Sequence, residues 1–180
     1  MMTKSTKGTM IRKLLTAALL AATVVGAAAP ALAIDEDHAA LLNAVHARGV
    51  ALYNDGDFCQ QDKDVDGFYH GPSKALVICA EGTWLNLDEN QLDTIRHETA
   101  HFIQDCADGN INGSLDLILK PGVAISLLTR TNLDPMGIIR TYTEKGRAAH
   151  IPVELEAFGI ARGHDAKTIK QALELFCPLK

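Results

Sequence analysis

The segment "TIRHETAHFIQDC", residues 94–106, contains two histidines and a glutamate in the order His-Glu-x-x-His. His97 and His101 are four residues apart, so a helix places both imidazoles on one face, one turn apart. Glu98 follows the first histidine directly. In this order the two imidazoles bind one zinc ion and the carboxylate acts as general base. The segment therefore predicts a site that activates water.

Hydrolytic zinc sites need neutral imidazoles, a third protein ligand and one position left for water. The ion lowers the pKa of that water, and Glu98 is expected to accept its proton. On a helical wheel with His97 at 0°, His101 falls near 40°, whereas the apolar residues lie between about 140° and 300°. The apolar face, which includes Cys106, is predicted to pack in the core. The opposite face, here called the chemical face, carries His97, Glu98 and His101.

The helix that carries the motif has clear boundaries in the sequence. Asp88 is a candidate N-cap, and Gln91 stands at the position that completes a capping box. Asp108 and Gly109 are expected to end the helix, because glycine follows many helix C-termini.

A third ligand is expected from the downstream segment "HIPVELEAFGIAR", residues 150–162. Pro152 suits the first turn of a helix there. Glu154 and Glu156 are two residues apart on that helix and face about 200° from each other, so only one can reach the ion. The spacing by itself leaves both glutamates open.

The two helices together resemble the gluzincin metallopeptidases, whose second helix often reads Glu-x-x-Ala. Residues 154–157 read Glu-Leu-Glu-Ala, and the resemblance implies Glu154 as the third zinc ligand, with Glu156 as the alternative. Phe158 replaces the Asp that often follows this phrase. Residue 107 is Ala, so the third histidine of the metzincin spacing is absent.

The resemblance covers roughly residues 66–162 and implies a minimal zincin-like core, with a small edge-strand sheet packed on the zinc helix. The mitochondrial ATP-synthase-assembly proteases share this layout. There the edge strand, here expected at about 75–78, lines the cleft and pairs with an extended peptide. Tyr142 and His150 precede the glutamate helix, and related enzymes use a Tyr or His to stabilise an oxyanion.

The remaining pattern predicts an α+β protein that is mostly helical. A first helix is expected from the acidic start at residue 35 to Asp55. A short strand, the Gly71-Pro72 turn and a second strand should follow. Several short helices are expected in 117–146, and an amphipathic helix in 165–177.

Residues 1–33 predict a secretory signal peptide with cleavage after Ala33. Four basic residues and no acid precede an apolar run, which is short for a bilayer span, so no stable membrane anchor is expected. The mature chain, 34–180, is then one metallopeptidase-like domain of 147 residues, secreted or periplasmic.

The charge balance narrows the range of partners. Without the four basic residues of the signal segment, 13 Lys and Arg face 22 Asp and Glu, a formal charge of −9. General electrostatic binding of nucleic acid or anionic lipid is therefore not expected. The expected partner is a peptide or protein substrate.

All four cysteines lie in the exported part, which predicts two disulfides rather than four reduced thiols. Of the three possible pairings, Cys59–Cys79 and Cys106–Cys177 are favoured. The first pair brackets a local hairpin-like segment, and the second closes the C-terminal helix onto the core.

Two segments resemble incomplete calcium loops. Calcium loops of twelve residues end in a bidentate Glu. The loop that begins with Asp-x-Asp-x-Asp-Gly at residues 62–67 has Ser73 at this twelfth position, and the loop that begins at residue 108 has Leu119. Calcium is therefore the less favoured cofactor, and a calcium-stabilised module would leave the helix histidines unexplained.

The predicted function is hydrolysis of peptide bonds by Glu-assisted attack of zinc-bound water, with one zinc ion per chain. The alternative is a non-catalytic zincin-fold module that binds a protein. Glu98 speaks against this alternative, because it is needed for turnover rather than for metal binding.

Overall fold

A computed structural model of the chain describes residues 34–54, 59–60, 65–80, 84, 87–120 and 122–179. The predicted signal peptide, 1–33, and the acidic residues 62–64 lie outside the described residues. The described part is mostly helical with a small three-stranded sheet, which confirms the α+β class. The elements are α1 (Glu36–His46), β1 (Ala51–Asn54), β2 (Gly67–His70), β3 (Ala75–Ile78), α2 (Glu89–Cys106), α3 (Val123–Arg130), α4 (Pro135–Glu144), α5 (Ile151–Gly163) and α6 (Ala166–Phe176).

Helix α2 is the element around which the others pack, and its start is the predicted one. The Asp88 carboxylate accepts a hydrogen bond from the Gln91 backbone N–H at 2.9 Å, and the Gln91 side chain accepts one from the Asp88 N–H at 2.8 Å. This capping box satisfies two donors that the helix leaves unpaired. The chemical face of α2 is buried as well as the apolar face, because α5, α6 and the sheet all contact this helix.

The sheet has the order β1-β3-β2, with β1 parallel and β2 antiparallel to β3. Strand β3 therefore lies in the centre, and the expectation that residues 75–78 form the edge strand is wrong. All four of its residues are buried, as is usual for an apolar run that is paired on both sides. The edge strand next to α2 is β2, whose Gly67 pairs with Ile78 and whose His70 pairs with Ala75.

The first helix ends earlier than predicted. It stops at His46, and Gly49 adopts the left-handed conformation with φ +79°, which glycine enters at little cost. Residues 51–54 then form β1, which pairs with β3. The predicted helix included residues 50–54, because the strand that pairs with 51–54 lies more than twenty residues downstream and gives no local signal.

Both predicted disulfides are present in the structure. Cys59 and Cys79 are joined across a separation of 20 residues, and Cys106 and Cys177 across 71, each with a Cα–Cα distance of 5.4 Å. The second bridge ties the end of α2 to the end of α6. Disulfides persist in oxidising compartments, so the bridges indicate an extracellular or otherwise oxidising location.

Within the described ranges, no helix is long and apolar enough to cross a bilayer.

Helix α5 is held against α2 by α3 on its outer side. The α carbons of Gly159 and Gly163 lie so close to α3 that added Cβ atoms would meet Ala124 O at 3.1 Å and Leu127 Cδ2 at 2.7 Å. These glycines let α3 approach α5 closely. The position of α5 matters because this helix carries both candidate glutamates.

The two disulfides are expected to contribute unequally to stability. Replacing Cys106 and Cys177 with Ala should lower the free energy of unfolding by about 4 kcal/mol, against about 3 kcal/mol for Cys59 and Cys79, because the longer loop loses more entropy when closed. Urea unfolding of both double variants measures this. Equal losses, or a larger loss for the shorter loop, would contradict the loop-entropy argument.

Candidate metal centre

Three side chains from α2 and α5 converge at the chemical face of α2. The Nε2 atoms of His97 and His101 are 3.1 Å apart. Glu154 Oε2, from the first turn of α5, lies 3.3 Å from His97 Nε2 and 3.4 Å from His101 Nε2. This group could hold a metal ion, and no second His/Cys/Asp/Glu cluster of this kind occurs in the part of the chain that the structure describes.

The spacing of the three atoms fits one small divalent cation. Ligands bonded at 2.0–2.1 Å to a tetrahedral zinc ion are about 3.4 Å from one another, close to the measured 3.1, 3.3 and 3.4 Å. Glu154 Oε2 is buried and meets no donor in hydrogen-bonding geometry. A buried carboxylate oxygen without a partner is costly, and a bound cation would remove that cost.

The protonation of His101 and Glu154 is strongly coupled. Burial opposes the charged form of His101, but the contact with Glu154 and the charges of Glu98 and Glu154 outweigh it and raise the pKa of His101 to about 9. Burial likewise opposes the charge on Glu154, yet His101 and His97 hold the pKa of this carboxyl well below its usual range. Without a metal, the pair is therefore a carboxylate beside an imidazolium.

Glu98 lies beside the group and is also buried, with 5% of its surface exposed. The backbone N–H of Tyr69, in the edge strand β2, lies near this carboxyl group and favours its charged form. Burial raises the pKa of Glu98, and the nearby imidazoles of His97 and His101 only partly oppose this. A carboxyl group with a raised pKa is suited to accept and return a proton near neutral pH.

The other predicted site residues line the same cleft, which has a volume of about 520 Å³. Tyr142, on α4, lies beside Glu154 in the cleft, and burial together with the charge of Glu154 raises the pKa of its hydroxyl. The phenol is therefore protonated at neutral pH. His150 is exposed on the cleft wall, directly before α5.

Glu156 does not join the metal-binding group. It is buried, and its carboxylate accepts hydrogen bonds from the backbone N–H groups of Ile118 and Leu119 and from Gln104 Nε2. Of the two glutamates that the spacing left open, Glu154 is the one beside the imidazoles. The two side chains point in different directions from the same helix. Glu154 therefore contacts His97 and His101, whereas Glu156 contacts Gln104 and the backbone of residues 118–119.

Sequence reasoning missed Gln104 altogether. Its side chain is fully buried, and its amide oxygen lies 2.8 Å from His101 Nδ1. The sequence did contain a signal for this contact: Gln104 is three residues after His101, and residues three apart on a helix are neighbours on its surface. A polar residue one turn beyond the second motif histidine can therefore be screened as a partner for its ring.

The second ring nitrogen of His97 has a different environment. His97 Nδ1 is buried without a hydrogen-bond partner, and the ring of Phe158 packs against the imidazole at a centroid distance of 4.3 Å. Phe158 is the residue that stands where the resembled family often has Asp. The two histidines are thus supported differently, His97 by aromatic packing and His101 by a hydrogen bond.

The loop 108–116, one of the two calcium candidates, is held by bonds to its own backbone. Asp105 Oδ1 accepts from the N–H groups of Asn112 and Gly113 at 2.9 and 2.7 Å. Asp108 Oδ1 accepts from Asn110 N–H at 2.8 Å. Acidic side chains here order the turn. The other candidate includes residues 62 and 64, which lie outside the described residues.

Comparisons with protein-family models, with curated proteins and with solved structures found no match to this chain. The geometry and chemistry of the cleft therefore provide the evidence for its function.

Zinc binding should require all three converging side chains. Replacing His97, His101 or Glu154 with Ala should abolish tight binding of one zinc ion per chain, because two ligands and an unpaired third group cannot complete the site. Binding is measured by competition with a chromophoric chelator. His150→Ala serves as the control and should bind zinc as the wild type does; equal loss in this control would contradict the assignment.

Zinc affinity should also depend on pH. Because the pKa of His101 is raised to about 9, its proton must leave when the metal binds, so acid favours the metal-free protein. The apparent affinity should rise about tenfold per pH unit between pH 6.5 and 8, with one proton released per ion. Calorimetry in buffers of different ionisation enthalpy measures the release; a pH-independent affinity would contradict it.

Proposed function

We propose that this protein is a zinc-dependent metallopeptidase of the gluzincin type, exported and built on a minimal zincin-like core. The observation that carries the proposal is the convergence of His97, His101 and Glu154 to within 3.4 Å, with Glu98 buried beside them. Metal binding alone does not need Glu98, whereas hydrolysis needs a base at that position.

The residues divide the work of peptide hydrolysis. His97, His101 and Glu154 would hold a zinc ion, and when bound it would supply a Lewis acid that polarises a carbonyl and lowers the pKa of water toward neutrality. Glu98 accepts the proton of the attacking water and passes it to the amide nitrogen of the leaving group. The raised pKa of Glu98 suits both steps, since the carboxyl must accept a proton and then release it.

The protonated Tyr142 is placed to help with the developing charge. Its hydroxyl lies beside Glu154 in the cleft, so it is near the place where an oxygen atom beside the ligands would develop negative charge. His150, on the wall of the same cleft, is the second candidate for this role. Donors aimed at a developing oxyanion are among the strongest contributors to catalysis.

The cleft also suggests how a peptide is held. Strand β2 is the outer strand of the sheet on the side of α2, and its residues 67–70 line the cleft. An extended peptide laid along β2 follows the usual mode of strand addition to a sheet edge. The strand that pairs with the peptide substrate is therefore β2 in this proposal, and not residues 75–78.

Glu98→Gln separates catalysis from metal binding. The amide has the same shape but cannot accept the proton, so cleavage of a mixed peptide library should fall by about 10²–10⁴-fold, while one zinc ion per chain is still bound. Cleavage is followed by mass spectrometry of the library, and zinc by elemental analysis.

Glu89→Gln is the matched control, because Glu89 is exposed in the first turn of the same helix. It should leave cleavage unchanged. Zinc-loaded wild type that cleaves no peptide would overturn the proposal and leave the non-catalytic protein-binding module. Full activity in Glu98→Gln would remove Glu98 from the mechanism.

A further inference from the structure

The fully buried side chain of Gln104 bridges α2 and α5. Its Nε2 donates to the backbone carbonyl of Val153 at 3.0 Å and to Glu156 Oε2 at 2.8 Å. Both of these atoms only accept hydrogen bonds, so the NH₂ end of the amide must face α5. The carbonyl end then faces His101, with Oε1 at 2.8 Å from Nδ1.

This orientation fixes the tautomer of His101. An amide oxygen can only accept, so the proton of the neutral ring must be on Nδ1. The other nitrogen, Nε2, is left with a lone pair, and it is the atom that faces His97 and Glu154. The hydrogen bond at one ring nitrogen thus presents the other as a metal ligand.

Glu156 anchors the far end of this chain of hydrogen bonds. It is 1% exposed and forms no ion pair with any described residue. Its charge is balanced by hydrogen-bond donors: Ile118 N at 3.1 Å, Leu119 N at 2.6 Å and the Gln104 amide. A buried carboxylate polarises an amide that donates to it, which makes the Gln104 oxygen a stronger acceptor for the His101 N–H.

We propose that Gln104 and Glu156 form a relay that positions His101, fixing its ring orientation and its Nδ1–H tautomer. The relay rests on the proposed function, because it assumes that His101 is a metal ligand. The two glutamates of α5 then act on the same centre by different routes. Glu154 contacts the imidazoles directly, whereas Glu156 acts as a positioning residue through Gln104.

Gln104→Met tests the relay, because methionine has nearly the same length but neither donates nor accepts at the amide positions. Zinc affinity, measured by chelator competition, should fall by about 10–100-fold, as expected for a lost partner of a ligating histidine. In ¹⁵N NMR spectra of metal-free, histidine-labelled protein, recorded above pH 9 so that the His101 ring is neutral, His101 should lose its uniform Nδ1–H form. Gln171→Met, at an exposed glutamine of α6, is the matched control and should change neither quantity.

A double-mutant cycle distinguishes the relay from two separate packing roles. Glu156→Gln alone should weaken zinc binding, but it should add little in the Gln104→Met background, where the connection is already cut. Additive losses would overturn the relay. If Glu156→Gln fails to fold, the affinity and the tautomer of Gln104→Met decide the question by themselves.

The outcomes separate the relay from the proposed function. Unchanged zinc affinity and an unchanged tautomer in Gln104→Met overturn the relay while leaving the metal centre intact. Wild type that binds no zinc overturns both. Wild type that binds zinc but cleaves no peptide overturns the peptidase assignment alone, and the affinity and NMR measurements still decide the relay.

Discussion

The crossing of α2 and α5 determines the chemistry of this protein, because it brings a carboxylate to two imidazoles inside a buried space. Glu98 and Glu154 add two carboxylates where water is scarce, and such charges are stable only when they are paired or hydrogen-bonded. The two histidines balance them in part. A bound divalent cation would complete the charge balance of these four ionisable groups.

Several contacts fix the cleft around that crossing. Two carboxyl groups of α2 lie against the same residue of the edge strand: Glu98 is near the backbone N–H of Tyr69, and Asp105 accepts a hydrogen bond of 2.7 Å from the Tyr69 hydroxyl. The spacing between β2 and the motif histidines is therefore set by α2 itself. At the C-terminal end of α2, next to Asp105, the Cys106–Cys177 bridge attaches the C-terminal helix.

Local signals were enough to predict much of the site. The capping box of Asp88 and Gln91, the four-residue spacing of the histidines and Pro152 at the start of α5 each depend on neighbours along the chain, and all three are present in the structure. Local reasoning also favoured the Cys59–Cys79 pair, which brackets a short segment, whereas Cys106 and Cys177 are 71 residues apart. The pairing of the sheet did not, and the strand expected at the edge lies in its centre.

The sequence alone therefore determined most of the helices and the His-Glu-x-x-His motif, whose causes lie within a few residues. It also determined that two disulfides form, which follows from the chemistry of cysteine. Tertiary structure decided which of Glu154 and Glu156 reaches the imidazoles, because a helix specifies the angle between two side chains but not the neighbour that each side chain meets. It also ended α1 at His46 and paired residues 51–54 with β3. The partner of a strand, like the partner of Gln104, lies far along the chain and becomes a neighbour only on folding.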